Sequence, residues 1–168
     1  MILSTEQLLA DWYKRIRFVQ YCHYEAAKAC DRLNLWLGIP VIVLSTWVGS
    51  SVFASLGQDS VNSTLQILTG LISLLAATLA SLQTFFRFTE KAEKHRLSAA
   101  RYGALRRETE EMLATCSQPP AEMIATLRQK LDRLADEAPH IPHRIWARRQ
   151  QVLREDGHHQ VGLADRSS

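Results

Sequence analysis

Residues 33–58 (LNLWLGIPVIVLSTWVGSSVFASLGQ) and residues 60–86 (SVNSTLQILTGLISLLAATLASLQTFF) contain no Asp, Glu, Lys or Arg. A single charged residue, Asp59, separates the two stretches. Each stretch is longer than the ~20 apolar residues that a helix needs to cross a bilayer core of about 30 Å. A helix also satisfies its own backbone hydrogen bonds where water is absent. The pair of stretches therefore predicts a transmembrane helical hairpin.

Basic residues lie beside these stretches on one side only, because the connection at residues 57–63 contains none. The flanking cations are Lys14, Arg15, Arg17, Lys28 and Arg32 before the first stretch, and Arg87, Lys91, Lys94, Arg96, Arg101 and Arg106 after the second. Lys and Arg near a span favour the cytoplasmic side. We therefore expect a multi-pass membrane protein with both termini in the cytoplasm. Acidic residues leave a net charge of only +3, so we expect no nucleic-acid binding.

The segment before the first span predicts an amphipathic helix over residues 4–32. Leu9, Trp12, Ile16 and Val19 recur there at spacings of three and four residues, as expected for one buried helix face. We expect this helix to pack on other cytoplasmic helices.

The first span is predicted at residues 34–57. Gly38 and Pro40 lie near its beginning, and a proline inside a helix removes a backbone donor and crowds the preceding turn. We therefore expect a helix break or a kink at Gly38 and Pro40.

The second span, predicted at residues 63–86, carries two stripes that follow the same alternation of four and three residues. The small or polar stripe consists of Gln66, Gly70, Ser73, Ala77, Ala80 and Thr84. The bulky stripe consists of Leu68, Ile72, Leu75, Leu79, Leu82 and Phe86. Their offset of two residues corresponds to about 200° around a helix. The second span therefore has one small face and one lipid-like face.

Two interpretations of the small stripe stay open. In the first, which the periodicity favours, small residues simply let membrane helices approach one another closely. In the second, the stripe is the wall of a pore, and Gln66, Ser73 and Thr84 offer weak polar contacts to water or ions. The spans contain no charged residue, which argues against a proton relay or a coupled transporter.

The chain beyond the second span predicts more cytoplasmic helix. The apolar period continues without a proline as far as Pro119, which predicts that residues 87–115 extend the second span as one long helix. The apolar positions of this extension are Phe88, Ala92, His95, Ala99, Tyr102, Leu105 and Met112. Further helices are predicted at residues 120–137, with Ile124, Leu127, Leu131 and Leu134 on one stripe, and at residues 143–154.

The predicted fold class is all-α, with a two-span transmembrane hairpin, cytoplasmic helices before and after it, and a second span continuous with a long cytoplasmic helix. One domain is expected over residues 1–156. Residues 157–168 are expected to form a mobile tail.

Motifs for catalysis or metal binding are not recognisable in this sequence. It lacks a glycine-rich phosphate loop, a nucleophile elbow and a His-Glu-x-x-His motif. Cys22, Cys30 and Cys116 form no Cys-x-x-Cys pair. We therefore expect a protein that is not an enzyme, with no catalytic residue, no metal site and no cofactor. For His95, on the apolar stripe, packing is favoured over a pH-sensing role.

A cationic patch near the C-terminus consists of Arg144, Arg148, Arg149 and Arg154, with no acid between them. The favoured interpretation is a solvated helix face near anionic lipid. The alternative is an anion contact at Arg144, Arg148 and Arg149 for a nucleotide or a phosphate.

Three short motifs at matching places resemble the SLATT domain proteins of bacteria. They are Leu37-Gly38-Ile39-Pro40 at the first span, ARYGALRRETE at residues 100–110, and Pro139-His140-Ile141-Pro142 before the last helix. The resemblance covers about residues 8–150. It implies a membrane effector of a bacterial antiviral conflict system, located in the inner membrane and encoded beside nucleotide-synthesising or nucleotide-sensing proteins.

This resemblance implies a homo-oligomer that forms a pore or disrupts the bilayer when a nucleotide second messenger or a sensor or synthase protein signals infection. The alternative function is a non-conducting membrane anchor or scaffold that recruits a cytoplasmic enzyme or sensor. A soluble bundle that buries both apolar helices is a third alternative, although the amphipathic segments are too few to cover them.

Overall fold

The computed structural model describes residues 4–56, 62–115 and 119–164, and the only regular structure in those ranges is helical. The five helices are α1 (Thr5–Ser55), α2 (Ser63–Phe86), α3 (Phe88–Thr115), α4 (Ala121–Glu137) and α5 (His143–Ala164). The all-helical class is confirmed. Most of the predicted connection between the spans, including Asp59, lies outside the described residues.

The first helix does not break at Gly38 and Pro40. It continues through both residues as a single element of 51 residues, so the prediction of separate helices at residues 4–32 and 34–57 is wrong. Pro40 removes one intrahelical hydrogen bond, the one to the carbonyl of Trp36, and long apolar helices tolerate such a loss. A bend at this position stays a prediction.

The predicted continuity between the second span and the helix beyond it is also wrong, by one residue. Arg87 separates α2 from α3, with φ 49° and ψ 45°, which is the left-handed conformation that ends many helices. Its carbonyl then accepts from the amide of Lys91 at 3.1 Å, and its Nε lies 3.1 Å from Oε2 of Glu90. This position is normally glycine, so the periodicity of the sequence contained no sign of it.

The last helix extends further than predicted. α5 continues to Ala164, whereas the sequence predicted an end near residue 154 and a tail over residues 157–168. No proline follows Pro142, and Gly157 and Gly162 each lower helix stability by only about 1 kcal/mol. Residues 165–168 of the predicted tail lie outside the described part of the chain.

Contacts divide the chain into two compact units. We call residues 1–28 with 92–168 the bundle unit, and residues 29–91 the span unit. α1 contributes its first part to the bundle unit and the rest to the span unit.

The bundle unit has an apolar core where α1, α3 and α4 meet. Its buried members are Leu9, Ile16, Tyr102, Leu105, Met112, Leu127 and Leu134, and Trp12, Val19, Ile124 and Leu131 pack against them. These residues are the ones on the predicted apolar stripes, which are thereby confirmed.

Polar contacts give the directions of the bundle helices. Tyr13 Oη on α1 donates to Glu110 Oε1 on α3 at 2.9 Å. His23, further along α1, contacts His95, which comes before Glu110 on α3. α1 and α3 are therefore antiparallel. Contacts of Lys130 with Glu108 at 2.6 Å and of Arg101 with Glu137 at 2.8 Å make α3 and α4 antiparallel as well.

Helix α5 packs along the first part of α1 in the same direction. Trp146 makes an edge contact with Phe18, at 4.6 Å between ring centroids. Three residues further along each helix, the Arg149 guanidinium carbon lies 4.1 Å from the ring centroid of Tyr21. The matched spacing of the two contacts establishes a parallel pair.

The span unit consists of an antiparallel contact between the later part of α1 and α2. Half-buried positions of α1 recur at 34, 37, 41, 44, 48, 51 and 55, and those of α2 include 69, 72, 79 and 83 around the buried Ala76. Gln83 Nε2 donates to Asn34 Oδ1 at 3.0 Å near one end, and the hydroxyls of Ser51 and Thr69 lie 3.4 Å apart near the other.

Candidate functional site

The span unit exposes nearly all of its apolar surface. The most apolar 18-residue windows of its two long helices are 0% and 6% buried, and both helices are long and apolar enough to cross a membrane. Large side chains such as Trp36, Phe53 and Phe85 are more than three-quarters exposed. A soluble bundle would cover such helices with its other segments, so the exposed surface argues against that alternative.

The small stripe of α2 is not the face that contacts α1. Gln66, Gly70, Ser73, Ala77 and Thr84 are exposed, and only Ala80 is half-buried. A Cβ added at Gly70 would meet nothing within 4 Å. The stripe therefore stays open along most of the helix.

The face of α2 that does contact α1 is centred on the buried Ala76. At 100° per residue, the half-buried positions around Ala76 lie roughly a quarter turn from the small stripe. Two members of the predicted bulky stripe, Ile72 and Leu79, are half-buried on this face. α2 consequently has three distinct faces instead of the two that the sequence predicted.

The sequence did not predict one polar contact inside the span unit. The amides of Asn34 and Gln83 are hydrogen bonded, and a Cβ at Gly38 would lie 3.2 Å from Gln83 Nε2. Gly38 thus leaves room for the Gln83 side chain, a role separate from the predicted kink. The sequence contains one hint of this contact: each uncharged stretch has an amide side chain, Asn34 or Gln83, close to its charged flank.

The arginine patch of α5 is not uniform. Arg144 and Arg148 are exposed, whereas Arg149 is half-buried and lies over the ring of Tyr21. The same guanidinium lowers the pKa of the Cys22 thiol slightly, although burial dominates and raises that pKa to about 11. The predicted anion contact therefore stays a prediction, with Arg149 already engaged in a cation–π contact.

The interior of the bundle unit holds a pair of histidines. His23 Nδ1 and His95 Nδ1 lie 3.0 Å apart, and His23 stacks on Tyr102 at 5.5 Å between ring centroids. Burial, and then the neighbouring His95, lowers the pKa of His23 to about 4. Burial also lowers the pKa of His95. The packing role expected for His95 is observed, and its partner His23 was not predicted.

Comparison with known protein families now identifies the class of protein. Residues 5–149 match the model described as SMODS and SLOG-associating 2TM effector domain family 4. The class is therefore a two-transmembrane effector domain linked to conflict systems. Two helices of the chain are long and apolar enough to be its spans. The chain belongs to the SLATT family, which confirms the resemblance found in the sequence. No curated protein and no solved structure matches the chain.

Proposed function

We propose that this chain is a membrane effector of a bacterial antiviral conflict system. In this proposal the two spans cross the inner membrane as a hairpin with both termini in the cytoplasm. The chain is not an enzyme. It assembles as a homo-oligomer and forms a pore, or otherwise disrupts the bilayer, when a nucleotide or a partner protein delivers the signal.

The open small stripe of α2 is the observation that carries this proposal. Membrane helices associate through small residues because lipid offers no hydrophobic drive for two apolar helices to meet. α1 uses the face around Ala76, so the stripe containing Gly70 and Ala77 is available to a second copy of the chain.

Polar groups on the stripe give a conductive path the contacts that it needs. Gln66, Ser73 and Thr84 lie on the same face as Gly70. The hydroxyl of Thr84 donates to the carbonyl of Ala80 at 3.1 Å, which leaves its lone pairs for water. Copies that repack around this face would line an opening with acceptors instead of leucine side chains.

Dye release from liposomes, with purified protein, tests the proposal. We expect leakage from the wild type when infected-cell extract supplies the trigger, and loss of leakage and of cross-linked oligomers in Gly70→Leu and Ala77→Leu. Thr78→Leu is the matched control, because Thr78 is exposed on α2 but lies about 120° from the stripe. Oligomers and leakage that survive both stripe substitutions would exclude this face.

The same assay separates the proposal from a non-conducting anchor. An anchor would leave the liposomes sealed under every trigger applied, including infected-cell extract, while still sedimenting with the membrane. In cells, a potential-sensitive dye measures whether expression of the chain depolarises the membrane, and this gives the corresponding result. Intact membrane potential at full expression under infection would favour the anchor.

A further inference from the structure

A cleft of about 900 Å³ opens in the bundle unit. Residues of α1, α3, α4 and α5 and of the turn at 138–141 line it. Its floor includes Ile16, His23 and Tyr102, all of which are buried. Small-molecule sites typically have volumes of about 300–1,000 Å³, so this cleft could enclose a ligand of that class.

Aromatic side chains contribute to the walls of the cleft. Trp12 and Trp146 both line it. Trp146 contacts Phe18, which follows Trp12 by six residues, or about 9 Å of helix rise. The two indoles therefore lie at different levels along α1, and Tyr102 lines the cleft as well. Flat apolar surfaces of this kind favour a planar ring over a branched aliphatic ligand.

His23 supplies a neutral polar group to the floor. Its Nδ1 is taken by His95, so Nε2 is the ring nitrogen left for a ligand. If Nδ1 of His23 accepts the proton of His95, then Nε2 donates, and the opposite tautomer makes Nε2 an acceptor. The pair can therefore meet a donor or an acceptor on a heterocycle, but it carries no charge.

Positive charge lies at the rim. Arg15 and Arg128 both line the cleft, and both are exposed. Asp132 is also at the rim. Its Oδ2 lies 3.9 Å from Nε of Arg128, so its negative charge offsets the charge of Arg128. Arg15 has no carboxylate partner among the residues that the structure describes, and it lies close enough to Tyr102 to influence its phenol. Arg15 is therefore the cation that an anionic group would meet.

We propose that this cleft binds a small planar aromatic molecule that carries an anionic group, with the ring against the aromatic walls and the anion at Arg15. A guanidinium recognises a carboxylate or phosphate through paired charge-assisted hydrogen bonds. Nothing in this proposal depends on whether the spans conduct. Failure of binding and failure of membrane leakage are therefore distinguishable.

Tryptophan fluorescence measures the binding directly. The chain has four tryptophans, and Trp36 and Trp47 lie outside the bundle unit. In a Trp36→Phe/Trp47→Phe background, emission reports Trp12 and Trp146 alone. AMP and CMP are the probes, since each joins a planar ring to a phosphate. We expect a saturable change with a nucleoside monophosphate at micromolar to millimolar concentration, and binding at least tenfold weaker for adenosine or inorganic phosphate alone.

Substitution of the rim cation provides the second part of the test. Arg15→Gln should weaken AMP binding about tenfold and leave adenosine binding unchanged, as expected for loss of one charge-assisted contact. Arg17→Gln is the matched control, because Arg17 is exposed on the same helix but does not line the cleft.

Three results would overturn the proposal: no saturable change with either AMP or CMP, equal binding of phosphate alone, or equal effects of the two arginine substitutions. Calorimetry on the unmodified chain in detergent gives the same decision if the double tryptophan variant loses its circular dichroism signal.

Discussion

The Nδ1 atoms of His23 and His95 lie 3.0 Å apart in the interior of the bundle unit, so one ring must donate to the other. Such a pair holds a single proton between the two nitrogens. A further proton would place a charge in a buried site beside a second imidazole. The low pKa of His23, about 4, and the lowered pKa of His95 both follow from this arrangement.

Acid should therefore destabilise the bundle unit. The pKa of His23 is about 4 in the folded chain and 6.5 in its ordinary state, so the unfolded chain binds more protons between these values. Stability is then full above pH 6.5 and decreases as the pH falls, by the order of 2 kcal/mol near pH 5. Thermal unfolding in detergent between pH 7.5 and 5 measures this decrease.

His23→Gln should flatten that pH dependence, whereas the exposed His140→Gln should leave it unchanged. An equally steep loss of stability in His23→Gln would show that other groups bind the proton.

The amide pair of the span unit should be energetically coupled. Asn34→Leu and Gln83→Leu each remove one partner of the 3.0 Å hydrogen bond. A double-mutant cycle, measured by unfolding in mixed micelles, should give a coupling of about 0.6–1.7 kcal/mol, as found for polar contacts between membrane helices. Pairing Asn34→Leu with the exposed Gln66→Leu provides the control, and additive effects in the first cycle would contradict the contact.

Replacing Arg87, the residue between α2 and α3, by glycine should stabilise the chain. The left-handed conformation costs an L-amino acid roughly 1 kcal/mol that glycine avoids, so Arg87→Gly should stabilise the chain by about that amount. The exposed contact with Glu90 is worth little in comparison. Ala100→Gly, at an exposed helical position of α3, should instead destabilise by about 1 kcal/mol. Equal losses in both variants would indicate that residue 87 is helical.

The core of the bundle unit should respond strongly to truncation. Leu127 is fully buried, and Leu127→Ala should destabilise the unit by about 2–5 kcal/mol through lost transfer energy and a residual cavity. Leu97→Ala, at a position 51% exposed, should change stability by less than about 0.5 kcal/mol. Chemical unfolding followed by circular dichroism compares the two. A small effect at Leu127 would contradict the proposed core.

Helical periodicity predicted the bundle core because burial of one helix face is a local pattern. Leu9, Leu105 and Leu127 could each be placed without knowing their partners. The break at Arg87 could not, since its left-handed backbone arises at a residue type that usually avoids it. The third face of α2 could not be predicted either. The side of α2 that α1 covers depends on how the two helices pack, which is not a local property of the sequence.

The cleft and the histidine pair could not be predicted from the sequence either. His23 and His95 are 72 residues apart, and only the antiparallel register of α1 and α3 brings their rings together. Trp12 and Trp146 come to the same cleft from opposite ends of the sequence. Helical periodicity identifies such residues as partly apolar, but it contains no information about the cleft that they line.

The two polar contacts of the span unit restrict how α1 and α2 can move. Asn34 with Gln83 and Ser51 with Thr69 lie near opposite ends of the helix pair. Sliding one helix along the other by a single turn, 5.4 Å, would break both contacts and leave the amides of Asn34 and Gln83 unpaired, whereas Ser51 keeps its hydrogen bond to the carbonyl of Val48 at 2.9 Å. A piston stroke between the two spans is therefore disfavoured.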